Sequence, residues 1–355
     1  MSIEVFKKYY KEEKDNLDKR INDFNNELVK EDNLLLKENL EYFKELNSNG
    51  KLVRGTLVNL GYNLLKDNKD YSYDLALAYE IFQTAILVHD DIIDNDDKRR
   101  GKDTIHHINY EKYKKYSSKE ESKHLGNSIG ICMGDYGLYM SNLVISKSYE
   151  KDKNLGKVLN YFNNTVLNTI KGELLDVILP FQSKNMDIDN KLLEESIMNI
   201  YRLKTAHYTI IGPMSAGLIL AGAKEDYLKD IEEFGEKVGI AFQIQDDILG
   251  IYSTEMGKVI GSDIKEFKQT ILYSHIMTTS YKDELLKYYG KEVNEENVEK
   301  VRDIFKKSGS YDYALDTMNN LYDESLNILD NISWIKEDKK DIIRGFVEYL
   351  RNRNK

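Results

Sequence analysis

Only two prolines, Pro180 and Pro213, interrupt 355 residues. Proline removes a backbone donor and clashes with the preceding turn, so a chain that nearly lacks it is free to carry helices of many turns. Long stretches repeat their apolar side chains at the helical period, and few runs alternate apolar and polar residues as a half-buried strand does. No Pro-rich or Gly/Ser-rich linker divides the chain. These features predict an all-α fold in a single domain over residues 1–355, its central helices surrounding a cavity. Leu75 to Val88 is representative, because its apolar residues are dense enough to be buried on more than one side.

Two such apolar runs end in acid. Ile81 to Val88 leads into Asp90-Asp91-Ile-Ile-Asp94, and Val238 to Ile244 leads into Asp246-Asp247-Ile-Leu-Gly250. Residues four apart share a helix face, so Asp90 and Asp94 stand over each other with Asp91 beside them. Crowded carboxylates repel and bind protons more tightly unless a cation lies between them, and hard oxygen donors point to magnesium. Magnesium keeps several waters and takes one or two carboxylates plus phosphate oxygens, which suits a site completed by a diphosphate. Basic residues follow each cluster: Lys98, Arg99 and Arg100 after the first, Lys258, Lys265 and Lys268 after the second. Acidic runs are ordinarily solvated helix faces, and 61 Asp and Glu residues supply many. The apolar lead-ins argue for the mouth of a cavity instead, where uncompensated charge is expensive.

The rest of the composition narrows the class. A net charge of −10 excludes the dense basic footprint that nucleic acid requires. The charged, helix-prone residues 1–49 lack the apolar core of a signal peptide, and no run of 18 apolar residues exists to span a bilayer. One cysteine, Cys132, rules out an intrachain disulfide, fits a cytoplasmic protein and is expected to fill core space. The lysine- and serine-rich stretch 110–124 reads as a surface insertion, and 283–307 as exposed helices and loops.

Leu87 to Gly101, LVHDDIIDNDDKRRG, resembles the first Asp-rich motif of the trans-isoprenyl diphosphate synthases, or polyprenyl synthetases. Further elements follow in that family's order: Gly50-Lys51-Leu-Val-Arg54 resembles its GKxxR, Gly134-Asp135 its GD, Gly172 to Asp176 its GQxxD-like segment, and Lys204-Thr205 its KT pair. Phe242 to Asp247 resembles the second Asp-rich motif, and Gly257 to Lys268 the GKxxGxDxxEGK loop. Each motif is weak alone; the ordered set, over roughly residues 45 to 275, is specific.

The resemblance implies an isoprenoid-synthase-type helical bundle around a deep central cavity and a condensation of isopentenyl diphosphate with an allylic diphosphate. The allylic substrate loses pyrophosphate, the double bond of isopentenyl diphosphate attacks the carbocation, and a proton leaves. Magnesium is implied, three ions when the allylic diphosphate is bound. Asp90, Asp94 and Asp246 are the implied ligands, supported by Asp91 and Asp247. Arg99, Lys204, Lys258 and Lys268 are implied to hold the allylic diphosphate, with Gln243 and Thr205 beside it. Lys51, Arg54 and Arg100 would hold isopentenyl diphosphate, the arginines through paired bonds to phosphate oxygens. A homodimer is also implied, with Gly126 to Ile145 as a candidate interface, and loop closure around Ser253 to Ser262.

Three positions depart from the family pattern. Gly250 stands where many members have a third Asp, leaving only Asp246-Asp247, with Asp263 of the following loop available to hold Lys258 or a metal-bound water. Gln83 replaces a His that touches isopentenyl diphosphate, and an amide still donates to an oxygen. Phe267 replaces Gly between Glu266 and Lys268, where glycine permits a positive φ that phenylalanine resists. His89 is expected to point off the metal face and make a structural hydrogen bond. The adjacent pair His106-His107 lacks the spacing of a zinc site on one helix.

Product length is read from the helix before Asp90. Ala85 and Ile86 form the first level below it, Phe82 and Tyr79 the next. A rise of about 1.5 Å per residue puts Phe82 roughly 12 Å below Asp90, and no aromatic residue stands at the first level. Geranylgeranyl diphosphate is the expected product; if Phe82 instead faces another helix as core, the product is farnesyl or longer. A class I terpene cyclase would share the architecture but has no use for Lys51, Arg54 and Arg100. A non-catalytic subunit of a two-component synthase is motivated by Gly250, Gln83 and Phe267, yet every first-motif Asp is present. A protein prenyltransferase is separated by isopentenyl diphosphate turnover.

Overall fold

The computed structural model describes residues 2–48, 50–186, 188–252 and 261–353. In chain order the helices are α1 (Ser2–Leu28), α2 (Leu34–Asn47), α3 (Val53–Asn63), α4 (Tyr73–Ile93), α5 (Ile105–Tyr113), α6 (Lys119–Ser148), α7 (Leu155–Asn185) and α8 (Asn190–Ile200). A π-helical segment, Tyr201–Ile211, leads to α9 (Gly212–Leu220), α10 (Glu225–Tyr252), α11 (Ser262–Lys265), α12 (Ile271–Ile276), α13 (Lys282–Leu285), α14 (Glu295–Lys307), α15 (Ser310–Asn331) and α16 (Glu337–Arg351). Among the described residues the only strands are β1 (Lys98–Arg99) and β2 (Lys102–Asp103), an antiparallel pair. The expected all-α class is observed. Pro180 lies inside α7. No described helix is long and apolar enough to cross a membrane.

Contacts divide the chain into two compact units. The first holds residues 9–160 and 213–223. Its axis is α4, which packs on α6 and α3 and, less extensively, on α2 and α5. Apart from Gln83, every residue of α4 from Leu75 to Ala85 is buried, which is why this stretch shows no clean apolar stripe in the sequence. Helices α3 and α9 approach so closely that a Cβ on Gly61 would meet the Met214 carbonyl, and one on Gly217 the Val58 carbonyl. The stretch 110–124 is exposed for most of its length and consists of the end of α5, a short turn and the start of α6, whose N-cap Ser118 Oγ accepts from Glu121 N at 3.2 Å.

The second unit holds residues 1–8, 161–212 and 224–355. Its axis is α10, packed on α15 and on the π-helical segment. Two expectations are corrected by burial. Cys132 is exposed, because α6 carries more apolar residues than its packed face can cover and leaves Leu125, Ile131, Tyr136, Tyr139 and Leu143 facing outward as well. The charged stretch 283–307 is not simply exposed: Val298, Val301, Ile304 and Phe305 recur at helical spacing and bury one side of α14.

The crossing of α3 and α9 is directly testable. Gly217→Val is expected to lose about 1–3 kcal/mol of stability in urea unfolding through overpacking. Gly156→Ala, where an added methyl meets nothing within 4 Å, should be neutral or slightly stabilising.

Candidate active site

In the first unit, α4 ends by a Schellman-type closure: Asp96 N donates to Asp91 O at 2.9 Å and Asn95 N to Ile92 O at 3.3 Å, with Asn95 left-handed at φ 54. Asp94 is the C-cap, and its N–H still reaches Asp90 O at 2.9 Å, so the i to i+4 relation holds. The chain then enters a hairpin whose two turn residues, Arg100 and Gly101, have φ of 53 and 79, the positive pair that suits the twist of a tight antiparallel turn. This turn brings Arg99 back over the end of α4. Its Nε donates to Asp91 and its Nη2 to Asp90 at 3.0 Å, with Asp96 at 3.8 Å. Asp91 is 2% exposed, and burial pushes its carboxyl up to about 7 against the pull of Arg99. His89 lies off this face: its Nε2 bonds Ile131 O at 3.2 Å, and its ring fills the space over Gly134.

Deeper along α4 sits a carboxylate that sequence reasoning missed. Glu80 is buried, and its Oε1 accepts from Gly55 N at 2.7 Å at the start of α3, just past the left-handed Leu52. Burial raises its pKa, while the charges of Arg54 and Arg100 act to lower it. The signal was available as the one charged residue between Leu75 and Val88. The Lys51 carbonyl accepts from Tyr10 OH. Tyr79, Phe82 and Ala85 are fully buried, whereas Gln83 and Ile86 are partly so. A cavity of about 290 Å³ opens beside Asp91 and Arg99, lined also by Arg100, Lys102, Tyr42 and Glu45.

In the second unit the π-helical segment carries Lys204 and Thr205. Such segments are rare and occur at functional sites because the wider turn re-aims side chains. Lys204 Nζ lies 2.7 Å from both Glu173 and Asp176 of α7, and Gly172 admits the Lys204 backbone, since a Cβ there would stand 2.5 Å from Lys204 N. Thr205 Oγ1 donates to Gln243 Oε1 at 2.5 Å, Gln243 Nε2 to Asp247 Oδ1 at 2.9 Å, and Tyr201 OH to Asp247 Oδ2. Asp247 is 3% exposed, and burial pushes its pKa up to about 7 despite these bonds. Its neighbour Asp246 meets the guanidinium of Arg353, which lies 4.5 Å from the Phe242 ring centroid and whose pKa burial pulls down to about 10. Tyr201 and Arg353 were also missed; both reach their partners through tertiary packing. Asp263 Oδ1 lies 3.9 Å from Lys268 Nζ, and its Oδ2 comes within 2.5 Å of where a Cβ on Gly250 would be. Lys258 and Gly257, with the closure expected over Ser253 to Ser262, lie outside the described residues except for Gly261 and the backbone of Ser262.

Among the described residues no three His, Cys, Asp or Glu side chains converge to enclose an ion unaided. The donors are carboxylate oxygens on two short acidic rows, the chemistry that suits a hard dication completed by phosphate oxygens and water.

Residues 34–307 match the model of the family described as polyprenyl synthetase. The chain is 29% identical to a short chain isoprenyl diphosphate synthase of Methanocaldococcus jannaschii over 74% of each sequence. It is 29% identical to a geranylgeranyl diphosphate synthase of Saccharolobus solfataricus over 100% of both. Its fold is similar to that of a geranylgeranyl pyrophosphate synthase from Corynebacterium glutamicum, complexed with isoprenyl diphosphate and magnesium, at a TM-score of 0.85 and 23% identity over 98% of this chain and 99% of that one.

The buried Asp247 carries a pH signature. A carboxyl raised to about 7 in the folded chain keeps a proton that the unfolded chain has released above about 4. Its contribution to stability is therefore full below about pH 4 and is lost as pH rises through 7. With a chelator present, Asp247→Asn should gain stability relative to wild type between pH 5 and 8, on the order of a few kcal/mol by urea unfolding. Parallel pH profiles for the two proteins would contradict the burial argument.

Proposed function

As a member of the polyprenyl synthetase family, to which the chain belongs, this protein is a trans-prenyltransferase that elongates prenyl chains, and we propose that it condenses isopentenyl diphosphate with an allylic diphosphate to make geranylgeranyl diphosphate, releasing pyrophosphate. The observation that carries a two-substrate reading is the number of arginines gathered in the first unit: Arg99 faces Asp90 and Asp91, while Arg54 and Arg100 lie in the field of the buried Glu80, with Arg100 also beside Arg99. So many cations suit two diphosphates. A terpene cyclase, with one diphosphate to bind, needs fewer.

In this reading Asp90, Asp94 and Asp246 hold magnesium, three ions in the ternary complex, with Asp91 and Asp247 in support. The ions would neutralise charge on the departing pyrophosphate. Arg99, Lys204, Lys258 and Lys268 hold the allylic diphosphate with Thr205 and Gln243 beside it, and Arg99 and Lys204, already oriented by carboxylates, need little reorganisation as charge develops. Lys51, Arg54, Arg100 and Gln83 hold isopentenyl diphosphate. Tyr79, Phe82 and Ala85 are closely packed, Ala85 against Gly137 and beside the Phe43 ring, so the twenty-carbon length rests on the lack of an aromatic side chain at 85 and 86. The name of the Saccharolobus solfataricus relative agrees with that length.

The protein is further proposed to act in the cytoplasm as a homodimer. Exposed apolar residues on α6 (Leu125, Tyr136, Tyr139, Leu143) and on α7 (Leu167, Ile170, Leu174, Phe181) support self-association, since each set recurs at helical spacing.

Radiolabelled isopentenyl diphosphate with dimethylallyl, geranyl and farnesyl primers should yield chains that stop at twenty carbons. Asp90→Ala should lower turnover by about two to three orders of magnitude, and Ala85→Phe should shorten the product. Absence of elongation with every primer would overturn the reading. Tyr139→Asp should shift the protein from dimer toward monomer in sedimentation equilibrium.

A further inference from the structure

Phe267 has a backbone conformation that its side chain disfavours: φ is 57. Helix α11 closes here in a Schellman arrangement, with Phe267 N donating to Ile264 O at 3.2 Å and Lys268 N to Asp263 O at 3.0 Å. Phe267 thus occupies the left-handed closing position that glycine usually fills. The compensation is visible around its ring. Phe267 is 8% exposed, with ring centroids 5.4 Å from Tyr273 at 72° and 5.7 Å from Tyr289 at 62°, both edge-on arrangements that aromatic quadrupoles favour. The ring lies against Gly290, where a Cβ would come within 2.7 Å of Phe267 Cδ2. The same aromatic group grips the next residue, because Tyr289 OH donates to Lys268 O at 2.9 Å, while Gln269 Nε2 donates to Phe267 O at 2.8 Å. Gly290 N closes the back of the turn on Ile264 O at 2.7 Å.

We propose that Phe267 is the positioning residue for Lys268: its ring, clamped by Tyr273, Tyr289 and Gly290, holds the turn left-handed and thereby fixes where the Lys268 ammonium is presented. Asp263 completes the frame. Its carboxylate fills the space left open at Gly250 and lies 3.9 Å from Lys268 Nζ, so the lysine is held from its backbone by Tyr289 and faced at its tip by Asp263. The inference rests on the proposed role of Lys268 as a diphosphate ligand.

The test separates the two ideas. Magnesium with inorganic pyrophosphate is titrated calorimetrically into wild type, Phe267→Gly, Phe267→Tyr, Lys268→Ala and the Phe267→Gly/Lys268→Ala double variant, and hydrogen exchange is followed over 263–270. Phe267→Gly removes the ring while permitting the left-handed backbone that glycine adopts readily. It should weaken pyrophosphate binding about tenfold and raise the KM for the allylic diphosphate more than it lowers kcat. Exchange of the Lys268 amide should accelerate, and Phe267→Tyr should restore both readouts. In the Lys268→Ala background Phe267→Gly should cost nothing further. An equal loss in that background, or unchanged exchange in Phe267→Gly, overturns the positioning role. Faster exchange together with unchanged binding in Lys268→Ala retains the clamp and withdraws Lys268 as a diphosphate ligand.

Discussion

A carboxylate removed from water must be met by a cation or by hydrogen-bond donors, and the arrangement of this protein depends on how that demand is satisfied. Asp91 is met by Arg99, Glu80 by the first amides of α3, Asp247 by Tyr201 and Gln243, and Asp176 by Lys204. Some of these compensations tie segments far apart in the chain, Tyr201 to Asp247 and Gly55 to Glu80, and others close a local turn. Arg99 reaches Asp91 because a left-handed Asn95 and a two-residue hairpin turn the chain through a reversal within a few residues of α4. Glu80 fixes the start of α3 and with it the Lys51 to Arg54 bend. The groups that suit ligand binding are therefore the groups that hold the local fold, and a bound diphosphate would meet cations already oriented by acid.

Compensation is incomplete at Glu80, which burial also raises, and at two aspartates, Asp91 and Asp247, where burial still pushes the carboxyl up to about 7. Each of these aspartates is the second Asp of its pair, whereas Asp90 and Asp246 are only partly buried. The pairs thus divide into an inner, buried carboxylate and an outer, partly exposed one met by an arginine, Arg99 at Asp90 and Arg353 at Asp246. Adjacent residues on a helix point about 100° apart, so one is buried where its neighbour is at the rim.

The two Asp rows were legible in the sequence because they end long apolar runs, and Asp90 with Asp94 keeps the spacing that the helix dictates. The all-helical class followed from the scarcity of proline. Less was legible where tertiary packing decides. Arg353 reaches Asp246 from 107 residues away, and no local pattern announces that contact. Tyr201 looks like any aromatic in an apolar stretch until the π-helical turn aims it at Asp247. Cys132 was assigned to the core by residue type, but α6 has apolar residues on more than one side and composition does not say which side is covered. Phenylalanine at 267 is expected to resist a positive φ, yet the chain adopts φ 57 there, with Tyr273, Tyr289 and Gly290 packed around a ring whose surroundings the linear order does not show.

That last arrangement constrains how this sequence can drift. Glycine stands at 290, where the ring of Phe267 leaves no room for a side chain, and phenylalanine stands at 267, where backbone conformation alone would ask for glycine. Gly290 is itself left-handed at φ 75, so glycine there answers to backbone conformation as well as to the ring. A side chain acquired at 290 first would collide with the ring, and a ring lost first would leave the turn without its clamp, so neither single step is neutral. The dependence runs one way: glycine at 290 suits its left-handed backbone with or without the ring, whereas the ring at 267 needs the room that glycine at 290 leaves.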